Sequence, residues 1–167
     1  LVDNAIMTHH RLRRSLSSRR LPLLLPRACR DFCARLMEDY SVVAPGPDTA
    51  LSQLSGGNQQ KVIVGREFSH DVGLVLLDNP TRGLDVGSSE FIHAEVLKKR
   101  REGKGCLLVS ADLDELLLLC DRIIVMYDGR VAAEFAGPEA DRDSVGRAML
   151  GLGQGQPSGQ DEEVKAR

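Results

Sequence analysis

The chain has 167 residues, 42% hydrophobic and 28% charged, with a formal net charge of -2. That balance suits one folded domain and excludes a collagen-like or wholly disordered chain. It also supplies no global basic field for nucleic acid, and two Tyr, four Phe and no Trp leave little to stack bases on.

Charge is uneven along the chain. Residues 1–40 carry eight arginines, with Arg11, Arg13, Arg14, Arg19 and Arg20 clustered among Ser and Pro. The cluster reads as a solvated stretch, or alternatively as a contact for an acidic partner or lipid headgroups. In residues 28–40, Cys29, Phe32, Cys33, Leu36, Met37 and Tyr40 recur at helical spacing and predict an amphipathic helix. Pro45-Gly46-Pro47 marks a loop. A second helix is expected over 56–70. Leu74-Val75-Leu76-Leu77 then reads as a strand buried on both faces. A third helix covers 88–101, with a basic C-terminal end that complements the helix dipole.

Cys106 to Val109 predicts another buried strand, Asp112 to Leu119 a short helix, and Ile123 to Tyr127 a strand. Asp128-Gly129 turns that strand into Val131 to Phe135. A last helix is expected over 142–150 and a disordered tail over 151–167. Alternating helices and apolar strands imply a mostly parallel α/β layer, with the 123–135 pair as an antiparallel edge. The four cysteines lack metal spacing and read as buried free thiols. No apolar run reaches the roughly 18–20 residues of a membrane span.

The strongest motif is Leu54-Ser55-Gly56-Gly57-Asn58-Gln59-Gln60-Lys61. Ser55 is a good helix cap, and the glycines leave the backbone open to a ligand. The helix that follows presents free N–H groups and a positive dipole end, a seat for phosphate. Alone, Ser-Gly-Gly before a helix is a common helix start. Downstream, Leu74 to Leu77 ends in Asp78, an acid at the ligand-binding edge of an α/β sheet. Asn79-Pro80-Thr81-Arg82-Gly83-Leu84-Asp85 follows, and the strand Leu107 to Val109 runs into Ser110-Ala111-Asp112.

This ordered set resembles the ABC ATPase family over roughly residues 1–136, most specifically over 51–89. Leu54 to Gln59 resembles the ABC signature and Leu74 to Asp78 the Walker B strand. Gly83-Leu84-Asp85 is similar to the D-loop, and Ala111 sits at the switch-histidine position. Gly-Gly-Asn-Gln-Gln-Lys and Pro-Thr-Arg-Gly-Leu-Asp-Val-Gly are similar to the second ATPase half of simple-sugar and nucleoside importers. The resemblance implies a partial P-loop NTPase-like domain: 1–54 part of the helical signature subdomain, 55–150 the C-terminal part of the ATPase core, and 151–167 a tail. It implies ATP and Mg2+ as cofactors, with Asp78 on the metal. Ser55, Gly56, Gly57, Asn58, Gln59 and Asp85 fall on the nucleotide side. The implied partners are a first ATPase half or second ATPase subunit, transmembrane permease subunits and, indirectly, a solute-binding protein, with no nucleic acid. The implied location is the cytoplasmic face of the membrane.

Three departures qualify that picture. No G-x-x-x-x-G-K-[ST] phosphate loop occurs in the 167 residues; in the family it lies upstream of the signature, so it is expected beyond Leu1. Asn79 replaces the glutamate that acts on the attacking water, and an amide is no general base. Ala111 cannot hydrogen-bond a γ-phosphate as histidine does. The chain's own site therefore reads as degenerate, with hydrolysis expected only within a complete tandem or dimer, while the signature serves a partner half. The alternative is a non-catalytic regulatory or binding module, or a truncated remnant. A translation-factor type is disfavoured by the Asn-Gln-Gln-Lys ending.

Overall fold

A computed structural model describes residues 1–7, 14–17 and 23–152. Much of the arginine cluster and nearly all of the expected tail lie outside the described residues. Two compact units are present, residues 1–107 and residues 108 onward. The boundary falls inside the strand Gly105–Val109.

The first unit opens with α1 (Val2–Ile6) in a stretch whose sequence shows no period. The predicted amphipathic helix is α2 (Pro26–Asp39). It starts on a proline, which needs no N–H at that position, and buries Cys29, Phe32, Cys33 and Leu36. The second predicted helix is α3 (Gly56–Phe68) and the third predicted helix is α4 (Val86–Arg101). Helices α1, α2 and α3 pack on one another, and α3 packs on α4. Ala5, Phe32, Val62, Phe68, Ile92 and Val96 form much of the apolar interior. Each large side chain so buried contributes about 1.5–3 kcal/mol. Gly65 lets α2 and α3 close up, because a Cβ there would lie 2.9 Å from the Tyr40 ring. Burial pushes the Cys29 and Cys33 thiols up, which keeps them protonated and inert.

Strands β1 (Leu74–Asp78) and β2 (Gly105–Val109) form a two-stranded sheet. The Gly105 N–H donates to the Gly73 carbonyl at 2.9 Å, setting the two strand starts side by side. The pair is therefore parallel, with α4 as its crossover. The expectation of burial on both faces is corrected. Val75 and Leu77 point inward, whereas Leu74, Leu76 and Leu107 are 63%, 68% and 54% exposed. No described element of the unit covers that face.

The second unit holds α5 (Leu113–Leu119), β3 (Arg122–Tyr127), β4 (Arg130–Ala136) and α6 (Arg142–Met149). Strands β3 and β4 form an antiparallel hairpin with Ile123 opposite Phe135 and Val125 opposite Ala133, and a register shift after Val125. Asp128 and Gly129 both take positive φ, 48° and 72°, as a two-residue type I′ turn requires. This hairpin is a separate sheet, which corrects the expected antiparallel edge on the first one. Its inner face joins α6 through Ile123, Val125, Ala133, Val145 and Ala148.

Candidate functional site

The Leu54–Lys61 motif follows a short 3-10 turn, Leu51–Gln53, that delivers Leu54 into the interior. Ser55 follows as the N-cap of α3, with extended backbone at φ -62° and ψ 157°. The first bond of the helical ladder runs from the Gln59 N–H to the Ser55 carbonyl at 2.9 Å. The N–H groups of Gly56 and Gly57 precede that bond, as the first N–H groups of any helix do. Ser55 and Gly56 are exposed. A thirteen-residue helix thus presents its positive end at an open turn.

Gly57 is buried, for a reason the sequence does not reveal. A Cβ on it would collide with Ser88 Oγ, reach 2.9 Å from Ser88 Cβ and 3.1 Å from Asp85 Oδ2. Gly56 has open space, its nearest neighbour being Leu84 at 4.0 Å. So one glycine leaves space open beside the backbone and the other admits the start of α4. Asn58 Oδ1 accepts the Val43 N–H at 2.8 Å, and its Nδ2 donates to Ser55 Oγ at 3.0 Å. Gln59 Nε2 donates to the Leu54 carbonyl at 2.9 Å. Lys61 Nζ lies 4.8 Å above the Phe91 ring and donates to the Ser41 carbonyl at 3.3 Å. Ser41, Val43, Phe91 and Ser88 all act at this turn without having been singled out from sequence. Only Ser88 left a signal, standing three residues after a capping Asp85.

Asp78 ends β1 and is exposed. Asn79 takes φ 44°, a left-handed conformation that Asn tolerates better than most residues. Its Nδ2 donates to Asp78 Oδ1 at 2.7 Å. Gly83, at φ 75°, then shapes the turn into Asp85. Asp85 caps α4, accepting from the Ser88 N–H at 2.9 Å and the Ser88 hydroxyl at 2.7 Å. Those bonds, the hydroxyl first, hold its carboxyl below the usual carboxylate range, and Lys61 adds to the effect. Signature turn and Asp85 therefore form one packed corner where the starts of α3 and α4 meet.

Ser110-Ala111-Asp112 belongs to the second unit. Asp112 caps α5 through the N–H groups of Asp114 and Glu115, and Ser110 Oγ accepts the Asp112 N–H at 3.0 Å. The Ala111 side chain is a methyl group and carries no donor or acceptor. Among the described residues no group of three His, Cys, Asp or Glu could hold a metal alone. Asp78 fits the more modest role of one carboxylate ligand, the usual protein share for a magnesium ion held mainly by phosphates and water. Its Oδ1 carries the Asn79 amide, and Oδ2 is the other acceptor.

No family model matches the chain. It is 42% identical to the ribose import ATP-binding protein RbsA of Pseudomonas putida over 86% of this chain and 27% of that protein. It is 41% identical to the nucleoside import ATP-binding protein NupA of Lactococcus lactis over 70% of this chain and 23% of that protein. Its fold superposes on the ATP-binding cassette MJ0796, a dimeric structure bound to ADP and Pi. The TM-score is 0.63 and the identity 26%, over 81% of this chain and 55% of that one. The chain belongs to the ABC ATPase family. Within that family it is similar to ATP-binding proteins of sugar and nucleoside import, and it spans about a quarter of the length of those two relatives. As a partial ABC ATPase cassette it carries the Ser55–Asp85 corner described above. Among the described residues no helix is long and apolar enough to cross a membrane.

Proposed function

We propose that this ABC ATPase chain works as part of the ATP-binding subunit of an importer for simple sugars or nucleosides, its signature turn acting in trans. The observation that carries the reading is the open Ser55-Gly56 turn at the positive end of α3. Ser55 and the first N–H groups of α3 would bind a terminal phosphate held by a partner half's phosphate loop. Fixed donors at developing charge are the main way proteins assist phosphoryl transfer. Asp85, held by Ser88, would lie where the two halves meet. Bound ATP with Mg2+ supplies the phosphoryl group and its charge neutralisation, with Asp78 offered to the metal.

The chain's own composite site is proposed to bind rather than hydrolyse. Asn79 donates its amide to Asp78, and the Ala111 side chain has no hydrogen-bonding group. Neither supplies a base. The proposed partners are a second ATPase half, permease subunits and, through them, a solute-binding protein, at the cytoplasmic face of the membrane. A non-catalytic regulatory module is the second reading, favoured by the same two residues.

The test pairs this chain with a phosphate-loop-bearing half and measures steady-state ATPase. Ser55→Ala together with Gly56→Val should lower kcat by about 100-fold, the scale of losing preorganised donors, while the far-UV circular dichroism stays unchanged. Full activity in that variant would remove the trans-acting role and leave the regulatory reading.

A further inference from the structure

Asn58 belongs to the nucleotide side by resemblance, yet both ends of its side chain are already engaged. A backbone N–H can only donate, so the 2.8 Å approach of the Val43 N–H fixes Oδ1 on that side. The amide nitrogen is then the end 3.0 Å from Ser55 Oγ, and it too can only donate. The Asn58 backbone N–H approaches the same oxygen at 3.4 Å. A serine hydroxyl has two lone pairs and one proton. With two donors on its oxygen, the proton is what remains for an outward bond.

We infer that Asn58 is a positioning residue that holds the Ser55 hydroxyl as a donor, making the turn selective for an acceptor-only oxygen such as that of a fully ionised terminal phosphate. The inference rests on the phosphate-clamp reading above. The loop behind Asn58 is held twice from α3, by Asn58 on Val43 and by Lys61 on the Ser41 carbonyl. Lys61 is itself steadied by Phe91. The orientation of one hydroxyl is thus set by a network reaching from the end of α2 to α4.

The test is 15N NMR of the full chain titrated with inorganic tripolyphosphate. In the wild type the Gly56, Gly57 and Asn58 amides should shift and saturate. Asn58→Asp keeps an acceptor for the Val43 N–H but presents a second acceptor to Ser55, turning the hydroxyl proton away from the ligand. It should weaken binding about tenfold, as should Ser55→Ala, the scale of one hydrogen bond to a charged group. The double variant should bind no more weakly than Ser55→Ala alone, since one residue acts through the other. Additive losses would mean simple charge repulsion and overturn the proposal.

A ligand-free readout guards against misfolding of the aspartate variant. Ser55→Ala should move the Asn58 side-chain amide resonances and speed their hydrogen exchange; unmoved resonances overturn the pairing. If the pairing is seen but tripolyphosphate moves no amide in the wild type, the clamp reading falls while Asn58's hold on Ser55 stands.

Discussion

Gly57 shows how one residue type can serve two ends. Next to Gly56 it reads as backbone laid open to a ligand, and for Gly56 the space is indeed open. Gly57 instead gives way to Ser88, whose hydroxyl also secures Asp85. The contact joins positions 31 apart in the chain, so no local spacing announces it. Gly57→Ala should therefore destabilise the chain by about 1–3 kcal/mol, the usual cost of overpacking. Adding Ser88→Gly should recover much of that loss, because the obstructing atoms are gone. Urea denaturation of the single and double variants measures both. Equal midpoints for Gly57→Ala and wild type would mean that the helix starts can part freely. The residues that were legible were those with local chemistry: Ser55 as a cap and Asp78 at a strand end.

At the scale of elements, legibility followed periodicity and caps. The step pattern from Cys29 to Tyr40 and the Asp128-Gly129 turn each define one conformation, and both appear. Leu74 to Leu77 is apolar throughout, so it has no alternation from which to tell one buried face from two. Caps recur at the helix starts: Ser55, Asp85, Asp112 and Asp141 each accept a backbone N–H from the first turn. Two of them titrate unusually. The Ser144 side chain first, then its backbone N–H, holds the Asp141 carboxyl low, as Ser88 does for Asp85. A carboxyl depressed in the folded state contributes stability above its unfolded value, about 3.9. That contribution disappears as pH falls through the folded value. Thermal midpoints should therefore decline below about pH 4, and less steeply in Asp141→Asn, whose amide still accepts but does not titrate. An identical acid decline in the variant would take Asp141 out of the account.

Across the whole molecule, the same sheet that places Asp78 also leaves an apolar surface uncovered. Leu74, Leu76 and Leu107 stand on one face of β1 and β2, each more than half exposed. Isolated exposed apolar residues need no explanation, but a contiguous patch on a two-stranded sheet favours association. Purified alone, the chain should self-associate as concentration rises, by sedimentation velocity or light scattering. Leu74→Thr with Leu76→Thr keeps β-branched side chains that suit a strand and should lower that association. It should leave the thermal midpoint nearly unchanged, because side chains already in water lose little burial when shortened. A large drop in midpoint would show instead that these leucines are packed in solution. Unchanged association would place the sticky surface elsewhere, with Ile124 and Met126 on the exposed side of the hairpin as the next residues to change.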